Sequence, residues 1–311
     1  MLKENILLKS YTTFQIGGLA RYFWEAESVP DIKEAIEWAK GNGLSFFVLA
    51  GGSNLLVADK GFDGLAIKVQ SSKFKAQSLG GDKALLYCEA GVKLSDLVAF
   101  SLEEGLSGLE WASGIPQATV GGSIWGNAGA FGKNMADIVS QVEVMEVQSS
   151  KFKVKNYKNK ECGFAYKDSI FKQNKNLVIL SAGLVLEKKN KQEVKEEVKK
   201  VLQYRKNHHP NQPSAGSVFQ NIKDEKIILS RPEFAVFQAR KEISAGWLIE
   251  QCGLKGKKIG GAQISTEHTN FIVNTGAATA SEVRQLIDLA KQTVWQKFAI
   301  ALEEEIQYLG F

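Results

Sequence analysis

Two glycine-rich loops are the residues best suited to chemistry on a bound nucleotide. The first runs Ala50-Gly51-Gly52-Ser53-Asn54-Leu55 and leaves an apolar stretch. Its successive backbone N–H groups, a hydroxyl and an amide form a turn without bulky side chains, a nest able to wrap a pyrophosphate. The second loop, Ile115-Pro116-Gln117-Ala118-Thr119-Val120-Gly121-Gly122, continues to Asn127-Ala128-Gly129-Ala130. Its small residues let a flat aromatic ring approach the backbone. Neither loop carries the G-x-G-x-x-G fingerprint of a dinucleotide fold or the Lys-Ser/Thr ending of a P-loop. Taken alone, Ala215-Gly216-Ser217 reads as turn chemistry and Glu303-Glu304-Glu305 as an exposed charge run. His208 and His209 fall in a linker, where they face either solvent or a diphosphate.

The elements that must hold these loops follow from periodicity. Ile32, Ala35, Ile36 and Ala39 recur at helical spacing, predicting a helix over Pro30 to Lys40 that ends at Gly41. Strands are expected at Phe46 to Leu49, Leu55 to Val57, Leu65 to Val69 and Leu85 to Glu89, and a helix over Leu94 to Glu104 closed by Gly105. Val139 to Leu186 reads mostly as β, and Val194, Val198, Val201 and Leu202 mark a helix that Asn207, Pro210 and Pro213 bring to an end. That break is a domain boundary candidate. Beyond it come a helix over Ser244 to Gln251, a strand near Phe271 to Val273, a helix opened by Thr279 with Glu282 three places on, and an alternating strand over Leu302 to Leu309. In that last strand Glu303 and Glu305 share a face and Glu304 takes the other. The mixture of elements without an internal repeat is the pattern of an α+β enzyme.

Bulk properties narrow the class further. A chain of 311 residues, 44% apolar with 29 Gly and 5 Pro, buries a large core in two or three domains. Glycine and polar residues break the apolar Leu44 to Leu56 stretch well short of a membrane span, and no targeting segment is visible. Cys88, Cys162 and Cys252 are widely spaced and odd in number, which suggests neither a disulfide framework nor a metal site and fits a reducing cytoplasm. The net charge of +5 favours anionic small molecules. Lys151, Lys153, Lys155, Lys158 and Lys160 alternate with Phe152, Val154 and Tyr157, a solvated strand face too narrow to track nucleic acid.

The two loops resemble those of the UDP-N-acetylenolpyruvoylglucosamine reductases, and the resemblance spans nearly the whole chain. Further stretches that carry it are Thr13-Phe14-Gln15-Ile16-Gly17-Gly18, Phe164-Ala165-Tyr166-Lys167-Asp168-Ser169, Ala215-Gly216-Ser217-Val218-Phe219, Leu254 to Ala262, and His268-Thr269-Asn270-Phe271. The short segment between the middle motif and Ser217 is similar to the variant lacking a tyrosine-bearing loop. The resemblance implies an FAD-binding fold of the vanillyl-alcohol-oxidase/PCMH type. It has a first flavin-binding subdomain over 1–70 completed by 299–311, a second over 71–206 and a substrate-binding domain over 207–298.

It further implies that NADPH reduces FAD and that the reduced flavin delivers hydride to C3 of the enolpyruvyl ether of a UDP-sugar, yielding UDP-N-acetylmuramate for peptidoglycan synthesis in a monomeric cytoplasmic enzyme. Gly51, Gly52, Ser53, Asn54 and Leu55 are implied to cradle the pyrophosphate. Ile115, Pro116, Thr119, Val120, Gly121, Gly122, Asn127, Gly129 and Ala130 are implied to lie by the isoalloxazine. Ser217 corresponds to the proton donor, Glu305 to the catalytic carboxylate, and Lys167 stands where the family usually has arginine. Tyr166, Asn221, Lys255 and His268 match positions near the substrate, and no metal is implied. The chain departs from the pattern at Lys167, Gln220, Gln307 and Ile222, and its Ile-Pro loop is one residue longer. Two alternatives stay open at this point: another FAD-linked oxidoreductase of the same fold, or a flavin- or nucleotide-binding protein without catalysis.

Overall fold

Residues 177–186 form a largely apolar run, and such a run is stable as a strand only when covered on both faces. In the computed structural model, which describes residues 1–70, 73–147 and 152–311, Leu177–Lys188 is accordingly a central strand. It pairs antiparallel with Val139–Val147 on one side and Lys83–Glu89 on the other. Phe152–Lys158 and Phe74–Gly80 complete the order at the two edges, and Leu106–Ser107 adds to the end of the central strand. A second sheet in the same unit has the order Leu2–Leu7, Leu19–Ala26, Phe62–Val69, Phe46–Leu49, with the last two strands parallel.

The chain divides into two compact units. One comprises Met1–Ile6, Ala20–Gly52 and Asp63–Asn207, and the other Leu7–Leu19, Ser53–Phe62 and His208–Phe311. In the first, the Val29–Gly41 helix buries Ile32, Ala35, Ile36 and Ala39, as its spacing predicts, and Ser28 caps it by accepting from the Asp31 N–H at 3.3 Å. Leu94–Glu104 ends at Gly105, whose φ of +66° is the left-handed stop expected there. Lys191–His208 buries only Val194, Val198 and Val201 along its length. Leu86, Ile67, Val92, Leu97 and Phe171 belong to one continuous core.

In the second unit Ser214–Ser217, Phe271–Asn274, Ala262–Ile264 and Lys258–Ile259 form an antiparallel sheet, and Gln307–Leu309 runs parallel to Leu55–Val57. The Ala280–Phe298 helix covers this core with Val283, Leu286, Ile287, Ala290 and Val294. Each fully buried Val, Leu or Ile among them contributes roughly 1.5–3 kcal/mol. Thr279 and Glu282 form the capping box their spacing predicts, and both Asp59 carboxylate oxygens accept from the next free N–H groups, Ala280 at 2.8 Å and Ser281 at 3.0 Å.

One expectation changes and another holds. The strand expected over Leu302 to Leu309 is confined to Gln307–Leu309, because residues 303–305 pair instead with 218–220 through a bridge between Phe219 and Glu304. A change of partner splits what the alternation suggested was one strand. The basic run forms the exposed Phe152–Lys158 strand, where Lys155 and Tyr157 both donate to Glu146 at 2.7 Å. Lys151 lies outside the described residues. Among the described residues no helix is long and apolar enough to cross a membrane.

Candidate active site

The first unit brings the two glycine loops into backbone contact. A Cβ on Gly51 would lie 1.6 Å from the Gln117 carbonyl oxygen, so the position excludes every other residue. Gly52 follows with φ +67°, and this change of hand curls the chain into the concave turn that suits a diphosphate. Gly122 packs its bare Cα over Ala50, where a Cβ would come within 2.9 Å of the alanine methyl, and Gly121 does the same over Ala90 at 2.8 Å. The cradle is therefore walled by backbone and fits the diphosphate and flat ring of a flavin, which Gly51, Gly52 and Gly121–Gly122 would meet without side chains intervening.

Downstream, Thr119 accepts from the Gly122 N–H at 3.4 Å and starts the Val120–Trp125 turn of helix. Ile115 is half-buried and Pro116 exposed at the head of this loop. Arg205 braces the approach to it, donating to the Trp111 carbonyl at 3.0 Å with its guanidinium 5.5 Å from the Phe131 ring centre. Asn127 is buried with φ +42°, donates to the Ala165 carbonyl at 2.7 Å and accepts from the Ala136 N–H at 3.0 Å. Ser169 donates to the Trp125 carbonyl at 2.7 Å.

These bonds dock the Phe164–Ser169 motif on the second glycine loop, and Lys167 is thereby set beside it, its ammonium 3.4 Å from the Gly129 carbonyl. Its φ of +57° is left-handed, a conformation uncommon for a residue with a side chain and held here by the Ala165–Asp168 bridge and by Lys172, which donates to the Lys167 carbonyl at 2.8 Å. Tyr166, next to it, is exposed.

In the second unit Ser217 and Glu305 are joined through the main chain. The Glu305 N–H donates to the Val218 carbonyl at 2.7 Å and the Gln220 N–H to the Glu303 carbonyl at 2.9 Å. Ser217 itself pairs with Phe271. The preceding Gly216 has φ +77° and no atom within 4 Å of where a Cβ would stand, so the approach to the serine is open on that side. Asn54 joins the same construction: its side-chain amide donates to the Glu305 carbonyl at 3.0 Å, and its own carbonyl accepts from the Gln307 N–H at 2.9 Å. Glu304 turns toward the Ala280–Phe298 helix, accepting from Lys291 at 2.8 Å and from the Tyr308 hydroxyl, with Arg284 at 3.5 Å. Burial alone would lift the Glu304 carboxyl, but these donors hold it below the usual carboxylate range.

The residues expected near substrate in this unit surround one short helix, Ala245–Gln251. The Asn221 side chain accepts from the Ala245 N–H at 3.1 Å. His268 packs against Gly246, where a Cβ would come within 3.3 Å of its ring, and Lys255 forms an ion pair with Glu250 at 2.9 Å. Burial pushes the His268 imidazole down from its ordinary value, with the nearby His208 lowering it further, and its Nδ1 accepts from the Asn270 N–H at 3.2 Å. His209 is not a free linker residue but packs its ring 5.0 Å from Phe271 and 5.8 Å from His268.

Sequence reasoning missed Asn270 as the support of the Ser217 segment and Lys68 beside the first glycine loop. A buried asparagine in a strand-like motif and a lysine inside an apolar run carry no periodic signal that separates them from their neighbours. Among the described residues no group of three or more His, Cys, Asp or Glu side chains is placed to hold a metal ion.

The profile of a family described as FAD binding domain matches residues 20–151, and that of the UDP-N-acetylenolpyruvoylglucosamine reductase C-terminal domain matches residues 208–309. The chain is 39% identical over 321 residues to the UDP-N-acetylenolpyruvoylglucosamine reductase of Synechococcus sp. (strain CC9311), spanning 100% of this chain and 94% of that protein. It is 35% identical over 310 residues to the reductase of the same name from Anoxybacillus flavithermus, spanning 99% of this chain and 94% of the relative. The crystal structure of the Thermus caldophilus UDP-N-acetylenolpyruvylglucosamine reductase superposes with a TM-score of 0.77 at 34% identity, covering 99% of this chain and 100% of that one. These matches bear out an α+β, FAD-binding fold. With relatives at this identity over nearly their full lengths, the chain belongs to the UDP-N-acetylenolpyruvoylglucosamine reductase family.

Proposed function

We propose that this chain reduces the enolpyruvyl ether of UDP-N-acetylglucosamine enolpyruvate to UDP-N-acetylmuramate at the expense of NADPH, with Ser217, Lys167 and Glu305 as its catalytic residues. Held by Gly51, Gly52, Gly121 and Gly122, bound FAD would supply the hydride carrier between NADPH and C3 of the enolpyruvyl group. Hydride at C3 leaves negative charge at C2 that spreads into the adjoining carboxylate, so the protein must supply positive charge there and one proton to C2. Lys167 supplies the charge, Ser217 donates the proton from Oγ, and Glu305 assists that acid. Tyr166, Asn221, Lys255 and His268 orient the nucleotide sugar.

The observation that carries this assignment is the open left-handed Gly216 before Ser217, on a segment whose next residue accepts the backbone N–H of Glu305. The division into 1–70 with 299–311, 71–206 and 207–298 goes with the same reading, as do a monomer and a reducing cytoplasm that suits three unpaired cysteines. An anaerobic assay tests it: NADPH bleaches the bound flavin and the enolpyruvyl substrate restores the colour. Restoration by oxygen alone, with the substrate inert, overturns it.

A further inference from the structure

Lys68 is an unusual residue for its position. It sits in the Phe62–Val69 strand directly after Leu65, Ala66 and Ile67, all three fully buried, and opposite Leu49, the last residue before the first glycine loop. Its ammonium donates to the carbonyl of Ala50, the residue that starts that loop. Among the described residues no carboxylate pairs with it, and the charged group that acts on it is another cation, Lys93. Lys93 bridges to Thr119 in the second glycine loop, and the following Leu94 N–H donates to the Ala118 carbonyl at 2.9 Å. Lys68 is thus tied by its ammonium to the first loop and Lys93 by its backbone to the second, and the two loops meet at Gly51 and Gln117.

A cation removed from water and set near a second cation is unfavourable unless an anion completes the arrangement. Burial, with the Lys93 charge added, brings the Lys68 ammonium down to about 8. The anion that belongs beside Ala50–Gly52 is a diphosphate. We infer that Lys68, assisted by Lys93, is a binding residue for the FAD diphosphate, adding two charged donors to a cradle otherwise made of backbone. This rests on the flavin reading above and extends it to residues outside the glycine motifs. Lysine acts here as a point charge reaching phosphate oxygens from beneath the loop, so its contribution depends on the ligand's phosphates and not on its ring.

The test compares ligands that share the ring and differ in phosphate. Apoprotein of the full chain, as wild type, Lys68→Met, Lys68→Arg and Lys93→Met, is titrated with FAD and with riboflavin, following flavin fluorescence. A charge-assisted bond lost to a dianion weakens FAD binding by about 10- to 100-fold in Lys68→Met. Riboflavin affinity stays within about twofold, Lys68→Arg recovers most of the FAD affinity, and Lys93→Met shows a smaller loss of the same kind. Equal losses for FAD and riboflavin, or no loss for either, overturn the inference. So does unchanged FAD binding with weakened binding of UDP-N-acetylglucosamine to the holoprotein, which assigns the lysines to the substrate's diphosphate. A wild-type chain that takes up no flavin overturns the flavin reading itself, and this inference with it.

Discussion

The Asn270 carboxamide grips the peptide groups of Phe219 from both sides, accepting from its N–H at 3.0 Å and donating to its carbonyl at 2.8 Å. The Asn270 main chain adds a third bond, accepting from the Val218 N–H at 2.8 Å. One side chain therefore does the work of a neighbouring strand for the residues that follow Ser217, where the register shift between Ser214 and Ser217 interrupts regular pairing. Asn270→Ala leaves a buried N–H and a buried carbonyl unsatisfied, at about 1–3 kcal/mol each. The expected result is a drop of that order in denaturant stability, and a lower kcat with the rate of flavin reduction by NADPH retained. Unchanged stability would show that water satisfies both groups.

Ser217 permits a sharper separation of steps. Hydride transfer into the flavin needs no proton at C2, whereas product formation does. Ser217→Ala is expected to reduce flavin at the wild-type rate and to slow substrate-dependent reoxidation by about 10²- to 10⁴-fold, the usual worth of a positioned acid. Stopped-flow measurement of the two half-reactions decides it. Equal slowing of both would mark the serine as a structural part of the turn.

The way these residues were legible in the chain differs with what holds them. Helices announced themselves where one face packs: Ile32, Ala35, Ile36 and Ala39 are all buried, and Thr279 with Glu282 forms its capping box. The glycine loops were visible because only Gly tolerates a backbone as close as Gly51 to Gln117. The Phe74–Gly80 strand was not visible, since it is an exposed edge with no buried residue to set a period. The Glu303–Glu305 run shows the limit of alternation. It separated Glu304 from its neighbours correctly, and Glu304 does turn to Lys291 and Arg284. It did not disclose that these residues pair with Val218–Gln220, because pairing between positions so distant in sequence leaves no trace in either segment alone. The roles of Ser217, Glu305 and Lys167 came from the resemblance to a family, not from periodicity.

Glu304 sets a pH dependence on the acid side. Its carboxyl is held below the ordinary range in the folded chain by Lys291 and Tyr308, against the opposing effect of burial. A depressed carboxyl stabilises the fold fully above its unfolded value, near 4.3, and the contribution is lost as pH falls through the folded value. Glu304→Gln is therefore expected to destabilise the protein at pH 7, and the difference from wild type should shrink progressively below about pH 4.5. Denaturation of both proteins across pH 3 to 7 checks this. A gap that stays constant over that range would assign the loss to packing.

Lys167 tests how far a point charge replaces a planar fork. The backbone at this residue is left-handed, with φ +57°, and is held by Lys172 at the Lys167 carbonyl and by the Ala165–Asp168 bridge, so the side chain's starting direction does not depend on its identity. Lys167→Arg keeps the charge and adds a second parallel donor, which a carboxylate carrying spread negative charge can accept in the transition state. Interactions stronger there than in the ground state raise kcat rather than lower KM. The expected outcome is a higher kcat with KM for the enolpyruvyl substrate little changed, while Lys167→Met loses about 10²-fold or more in kcat. Steady-state kinetics on the three proteins measure both quantities. If Lys167→Arg turns over no faster than wild type and Lys167→Met retains wild-type kcat, the ammonium 3.4 Å from the Gly129 carbonyl serves to fasten the loop and carries no catalytic charge.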